Sequence, residues 1–289
     1  MRPRLTVILL NWRNCDDTLA CLCQLVASSY PNLHIIVVDN GSGDDSVARL
    51  REAYPHVMLL VLDYNHGFAG GVNHGIDLAM RAGSDYVLLL NSDVHFEPEL
   101  LSMLVEAAEA NPRLGLLGPK EFRDRAARRL ALYGFRVTRA GLRLLGWNAI
   151  DAGQLDHEQV DVITGCAMLI PRHTIERVGL LDERFFFYGE DMDYGIRVRL
   201  AGLHVCVVRH AEIEHSMNGA THGQSARRQF LLASARVRVL LKHHQLFNMP
   251  LALLFESIEA YRTCWHSLRQ GDSAAALGYL RGLWDGFRS

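Results

Sequence analysis

The stretch Tyr86-Val87-Leu88-Leu89-Leu90-Asn91-Ser92-Asp93 decides the reading of this chain. Five apolar residues in a row predict a strand buried on both faces. The run stops at polar residues, so Asp93 should sit at the carboxyl edge of a buried sheet. In open α/β sheets that edge is where ligands bind. An acid there is suited to hold a divalent ion that in turn holds phosphates.

The flanking sequence repeats the pattern. Short apolar runs at Leu5–Leu10, His34–Val38 and Val57–Leu62 predict further strands. Helical patterns at Asp16–Ala27, Asp44–Ala53, Gly70–Ala82 and Pro98–Ala110 separate them. This alternation predicts an α/β fold with a mostly parallel central sheet flanked by helices. Beyond it, Leu114–Lys120, Val160–Ile170 (interrupted at Gly165) and Leu203–Val208 predict strands, and Glu190–Leu200 a helix. Residues 123–146 are irregular, carry seven arginines, and read as a hairpin or a mobile loop. From Ser225 the pattern is helical, with a flexible stretch expected at Ser216–Gly223.

Composition narrows the function classes. The chain has 289 residues, 49% of them hydrophobic, enough for a substantial core. A formal net charge of −2 argues against a general nucleic-acid binder. Six cysteines without a C-x-x-C pair are expected to be reduced, which suits the cytoplasm. The start, Met1-Arg2-Pro3-Arg4 before Leu5–Leu10, mimics a secretion signal, but the apolar run is short and leads into Asn11-Trp12-Arg13. A first buried strand is the better reading. No run of ~18 apolar residues is present to span a membrane.

Five constellations carry chemistry. Ile35–Val38 ends in Asp39-Asn40-Gly41-Ser42, where the carboxylate either receives a ring N–H of a nucleotide base or caps the turn. The segment Asn65-His66-Gly67-Phe68-Ala69-Gly70-Gly71-Val72-Asn73 is glycine-rich and precedes a helix. It suits close approach of a phosphate, or is a plain tight turn. In Asn91-Ser92-Asp93 one carboxylate is available for a hard cation such as Mg²⁺; capping of the helix that begins near Pro98 is the alternative, set back by the gap of several residues. In Phe185-Phe186-Phe187-Tyr188-Gly189-Glu190-Asp191-Met192-Asp193, the acids suit a helix start. Asp193 has a partner in Arg197 one turn on, whereas Asp191 lacks one and suits a general base. Last, His215 follows an extended segment and suits completion of a metal shell, although a lone histidine is commonly structural.

Taken in order, V-V-D-N-G-S, N-x-G-F-A-G-G-x-N, L-L-L-N-S-D, F-F-x-Y-G-E-D-x-D and a late histidine resemble the family-2 inverting glycosyltransferases of GT-A fold, in particular their rhamnosyltransferase-like branch. The likeness covers roughly residues 4–245. Asn11-Trp12 resembles the family's N-W-N start, Thr164–Leu169 its T-G-A-x-M-L strand, and Val178–Phe185 its V-G-x-F-D-E-x-F segment. The resemblance implies that residues 1–220 form a nucleotide-sugar-binding catalytic domain and 221–289 a helical extension. It implies that Asp39 contacts the base with Asn11 lining the same pocket, and that Asn65, Gly70 and Asn73 lie along the nucleotide. Asn91 would contact ribose or metal-bound water, Asp93 and His215 would hold Mg²⁺ or Mn²⁺, and Asp191 would be the catalytic base.

The single carboxylate of Asn91-Ser92-Asp93 points within that family to dTDP-rhamnose, with a UDP-hexose as alternative donor. The acceptor would be a saccharide or lipid-linked saccharide of cell-surface polysaccharide or glycolipid assembly. Two other classes compete. A nucleotidyltransferase would release pyrophosphate and carry a basic triphosphate loop, which Asn11–Asp17 lacks. A non-catalytic sugar-nucleotide-binding module would bind without turnover.

Near the end, Leu277, Leu280, Trp284 and Phe287 recur at helical spacing. They suit packing on the core or on a second copy, as in a homodimer, or peripheral contact with the inner face of the membrane. The arginines between 123 and 143 suit either an anionic acceptor or a solvated face.

Overall fold

The computed structural model describes residues 2–153, 159–216 and 223–288. In chain order it runs β1 (Leu5–Asn11), α1 (Cys15–Val26), β2 (Leu33–Asp39), α2 (Ser46–Ala53), β3 (Met58–Val61), α3 (Gly67–Arg81), β4 (Tyr86–Leu90), β5 (Val94–Phe96) and α4 (Leu100–Ala110). Then follow β6 (Leu114–Asp124), β7 (Arg129–Leu132), β8 (Gly134–Thr138), β9 (Gly141–Leu145), β10 (Gln159–Val160), β11 (Ala167–Pro171), α5 (Arg172–Val178), α6 (Glu190–Leu200) and β12 (His204–His215). The chain closes with α7 (Ser225–Lys242), α8 (Met249–Arg269) and α9 (Ser273–Arg288).

The main sheet has the order β10-β12-β6-β11-β4-β1-β2-β3. Strands β3, β2, β1 and β4 are mutually parallel, as the alternation predicts. Strand β11 runs antiparallel between β4 and β6, so the sheet is mixed. Side chains of β1 and β4 alternate between two cores. Leu5, Val7, Leu9, Leu88 and Leu90 meet α1 and α4 on one face. Ile8, Val87 and Leu89 meet α3, α5 and α6 on the other. Truncating one such residue to alanine costs about 2–5 kcal/mol.

Four local expectations change. The glycine-rich segment is not a loop beyond Gly67 but the first turns of α3. Its glycines let the helix lie against β1: a Cβ on Gly71 would come within 2.6 Å of Leu10, and one on Gly75 within 2.8 Å of Ile8. The irregular segment resolves into the end of β6, strand β7 and a β8–β9 hairpin. The expected strand 160–170 is two short strands, β10 and β11, with 161–166 turning between them. Strand β12 is longer than predicted and carries a register shift between Val208 and Glu212. The expected flexible stretch at 216–223 falls largely on 217–222, outside the described residues.

Helix α7 is fastened to this body by charge. Asp193 of α6 is fully buried and meets Arg197 (2.8 Å), Lys242 (2.6 Å) and His243 (2.8 Å). Lys242 also reaches Asp182 at 2.6 Å. Burial works against the Asp193 charge, yet His243, Arg197 and Lys242 hold its carboxyl below the usual range. Val239 of α7 joins the core beside Phe135, Val162 and Ile196. Helix α9 lies close on α7 because Gly278, Gly282 and Gly286 share one face. Cβ atoms there would come within 2.3 Å of the Ala226 carbonyl, 2.2 Å of the Phe230 carbonyl and 2.7 Å of Val237. Among the described residues no helix is long and apolar enough to cross a membrane.

Candidate active site

The carboxyl ends of β1, β2 and β4 converge because the three strands are parallel and in register. Asn11 stands beside Asp39 at the ends of β1 and β2. The Asn11 amide donates to Asp39 Oδ2 at 2.7 Å, and its carbonyl oxygen accepts from Thr18 Oγ1 at 2.9 Å. Asp39 also accepts from the Ser42 N–H (3.1 Å) and hydroxyl (2.6 Å). The carboxylate therefore holds the Asn40–Ser42 turn, and both Asn11 and Asp39 are buried behind the cleft wall.

Asn40 and Asn65 close the next part of the edge. The Asn40 amide donates to Asn65 Oδ1 (3.1 Å) and the Gly67 carbonyl (2.9 Å), while its own Oδ1 accepts from the His66 N–H (3.0 Å). Gly67 has φ +75°, and a Cβ there would come within 2.3 Å of the Phe186 carbonyl. The 185–189 segment can thus lie directly on the start of α3. Gly70 faces His66 and Glu183. Asn73 is buried, donating to the Leu181 carbonyl and Glu183 (2.9 Å each) and accepting from the Leu181 N–H (3.1 Å).

Above these groups opens a cleft of about 750 Å³, its solvent-filled mouth included. Trp12, Asn65, Asn91, Asp93, Phe187 and Arg227 are among its lining residues. Asn11, Asp39, Gly70, Asn73, Asp191 and His215 do not line it; they lie behind or beside it. Arg227 comes from α7 and lies 5.9 Å from the Trp12 ring. Nothing in the α7 sequence marked it as a cleft residue, because its place depends on how α7 docks.

Asp93 and His215 are brought together by a strand pair that the sequence did not disclose. The short β5 pairs with the end of β12, so that His215 stands opposite Val94. The Ser216 N–H donates to the Asp93 carbonyl at 3.0 Å. In consequence His215 Nε2 lies 3.1 Å from Asp93 Oδ1. On the other side of the ring, Nδ1 lies 2.6 Å from Glu121 Oε1. Glu121 Oε2 accepts from Thr164 Oγ1 at 2.9 Å. Burial opposes a charged imidazole, but the bonds to Asp93, Cys166 and Glu121 raise its pKa well above the usual value.

Two donor sets overlap here. Ligand atoms of Glu121, Cys166 and His215 all lie within 4.8 Å of one another. Cys166 is a poor donor for a hard cation, since burial and then the Glu121 charge push its thiol up to about 11. Asp93 and His215 fit better. They pair a carboxylate oxygen with an imidazole nitrogen, donors that would suit Mg²⁺ or Mn²⁺, and the two atoms lie 3.1 Å apart. A carboxylate on the far ring nitrogen is the usual way of fixing a metal-binding histidine. Glu121 occupies that position. Asp93 and His215 would be the ligands, with Glu121 as a positioning residue.

Asp191 lies beside this cluster. Its oxygens accept from the N–H groups of Met192 (2.7 Å) and Gly165 (3.1 Å). Gly165 leads to Cys166, whose carbonyl accepts from the Asn91 N–H at 2.8 Å. Burial pushes the Asp191 carboxyl up to about 6, against the two N–H donors and helped by the Glu121 charge. Glu190, also buried, is raised well above its ordinary value by burial and by Asp191. Several of the 123–143 arginines are engaged by acids: Arg125 with Glu97, Arg128 with Asp151 and Glu212, and Arg136 with Asp161.

Residues 6–177 match the model of the family described as glycosyl transferase family 2. Over 219 residues the chain is 31% identical to N-acetylglucosaminyl-diphospho-decaprenol L-rhamnosyltransferase of Mycobacterium tuberculosis, covering 67% of this chain and 70% of the relative. It is 25% identical to a low-salt glycan biosynthesis hexosyltransferase of Haloferax volcanii, covering 71% and 64%. Among solved structures, the mannosyltransferase of Pyrobaculum calidifontis in complex with GDP-Man and Mn²⁺ superposes with a TM-score of 0.59. It is 16% identical, over 99% of this chain and 88% of that one. GalNAc-T7 with UDP, GalNAc and Mn²⁺ gives 0.61 at 12% identity, over 82% and 47%. These two likenesses carry the fold.

Proposed function

The chain belongs to glycosyl transferase family 2 and has the GT-A architecture, and from that premise we propose that it is an inverting, metal-dependent transferase of rhamnose from dTDP-rhamnose. The acceptor would be a hydroxyl of a saccharide or lipid-linked saccharide. The observation that carries this reading is that Asp93, which lines the cleft, meets His215 and through it Glu121 just behind the lining. The choice of rhamnose draws on the mycobacterial relative and on the single carboxylate of Asn91-Ser92-Asp93.

A divalent Mg²⁺ or Mn²⁺ held by Asp93 and His215 would supply Lewis-acid stabilisation to the departing nucleoside diphosphate. Glu121 holds the His215 ring so that Nε2 faces Asp93. Asp191 takes the proton of the acceptor hydroxyl, and its pKa near 6 leaves it ionised at neutral pH yet basic enough to accept. The hydroxyl oxygen attacks the anomeric carbon from the face opposite the diphosphate, which inverts the configuration in one displacement. Arg227 lends positive charge to the diphosphate end of the cleft.

For the donor, Asn65 and Asn91 are assigned to direct contact because they line the cleft. Asn11 and Asp39 form the floor that presents the base site. Gly70 and Asn73 act by holding the α3 start against the 181–183 segment. Residues 1–220 would form the catalytic domain and 221–289 its helical extension, with α7 contributing Arg227 to the cleft.

A screen of nucleotide-sugars with Mn²⁺, reading nucleoside diphosphate release, tests this reading. Preferential release from dTDP-rhamnose supports it. Preference for a UDP-hexose moves the donor, release of pyrophosphate identifies a nucleotidyltransferase, and binding without turnover identifies a non-catalytic module.

A further inference from the structure

Helices α8 and α9 are built inside out. The positions that α8 buries are Ala252, Glu256, Ala260 and Ser267, which are small or charged. Its exposed stripe is Leu251, Leu254 (58% exposed), Ile258, Tyr261 (68%), Trp265 (51%) and Leu268. Helix α9 buries Gly278, Gly282 and Gly286 against α7 and exposes Leu277, Leu280, Trp284 (66%) and Phe287. A surface helix of a water-soluble protein turns its large apolar residues inward. Helices with small residues at their contacts and large ones outside are built for an apolar surrounding.

The net charge on these two faces is positive. Arg262, Arg269, Arg281 and Arg288 are exposed along the apolar stripes. Arg269 lies 5.2 Å from the Trp265 ring and Arg288 5.7 Å from the Trp284 ring. Two of the three carboxylates on these helices are engaged by α7, Glu256 by Arg236 and Asp285 by Arg238 and Ser234, while Glu259 pairs with Arg262 on the face itself, which leaves Arg269, Arg281 and Arg288 as its net positive charge. Tryptophan, tyrosine and arginine around an aliphatic stripe are the side chains that settle at a bilayer interface.

We propose that the outward faces of α8 and α9 dock on an anionic lipid bilayer, lying in its interface without crossing it. The arginines pair with the lipid phosphates while the leucine and aromatic side chains enter the headgroup–acyl boundary. Vesicle binding requires no catalysis, so it reads out separately from the donor assignment.

The test is flotation of the full chain with phosphatidylcholine vesicles, with and without phosphatidylglycerol. Binding is expected only to the anionic vesicles and should weaken with added salt. Arg281→Gln with Arg288→Gln should lower it by about fivefold per arginine. Trp265→Glu with Trp284→Glu should lower it by roughly tenfold or more. Both pairs are exposed, so the thermal unfolding temperature should hold within a few degrees, which separates lost docking from lost folding. Absence of binding to anionic vesicles, or binding indifferent to the tryptophan pair, overturns the proposal. So does a dimer in sedimentation analysis that the tryptophan substitutions dissociate while vesicles are ignored, since a second copy then covers the face.

Discussion

Replacing Asp191 by asparagine should stop transfer and stabilise the protein at the same time. Burial pushes this carboxyl up to about 6, above an unfolded value near 3.9. A carboxyl shifted in that direction favours folding most below pH ~4, and the benefit is lost as pH rises through about 6. At neutral pH, keeping the charge in place costs the folded state on the order of 2–3 kcal/mol. The amide removes that cost. It also turns an NH₂ group toward one of the two N–H donors, Met192 or Gly165, returning about 1–2 kcal/mol. The net expectation is a variant about 1 kcal/mol more stable at neutral pH, a rise in Tm of a few degrees, with the advantage gone near pH 4. Loss of a general base lowers kcat by about 10²–10⁴, while donor affinity should stay within about twofold. Thermal unfolding across pH, steady-state diphosphate release and donor titration measure the three quantities. Full turnover in the variant refutes the base assignment. A loss of donor affinity matching the loss of rate would make Asp191 a binding residue instead.

Three further outcomes follow from the same geometry. Glu121→Gln keeps the shape beside His215 but removes the carboxylate, and should weaken Mn²⁺ binding by about 10–100-fold; unchanged affinity would remove Glu121 from the site. Asp193→Asn breaks a buried charge cluster and should cost about 3–5 kcal/mol in denaturant unfolding at neutral pH. Because the native Asp193 carboxyl lies below its usual range, that loss should begin to shrink as pH falls below the unfolded value near 3.9 and be gone only beneath the lower folded value; a pH-independent loss would contradict the ion pairing. Arg227→Ala should raise the donor KM by roughly tenfold with kcat little changed, as removal of uniform binding does. A fall in kcat alone would place Arg227 at the reacting centre.

The sequence made the β1–β4 sheet legible because buried parallel strands are apolar throughout and end abruptly at polar residues. Leu90 followed by Asn91-Ser92-Asp93 carried the edge of the sheet in that way. The family showed in ordered motifs, and the domain fold followed from it. What stayed hidden depends on long-range pairing. The three-residue β5 is too short to show a period, yet its ladder with β12 sets His215 beside Asp93. Glu121 sits among the charged residues that end β6 and has no local signal, since its partner is 94 residues away. The glycines of 67–75 suggested a phosphate loop, whereas Gly71 and Gly75 serve the close contact of α3 with Leu10 and Ile8, and Gly67 the approach of Phe186. Arg227 reaches the cleft through the docking of α7, whose far end is held by Lys242 and the adjoining His243 on Asp193.

The central claim is that Asp93 and His215 together hold the divalent ion at which the nucleoside diphosphate departs. Titration of Mn²⁺ by electron paramagnetic resonance in the presence of dTDP, on the native chain and on His215→Ala, tests it most directly. Tight binding is expected in the native chain, weakening by at least roughly tenfold in the variant. Equal Mn²⁺ affinity in the two proteins would contradict it.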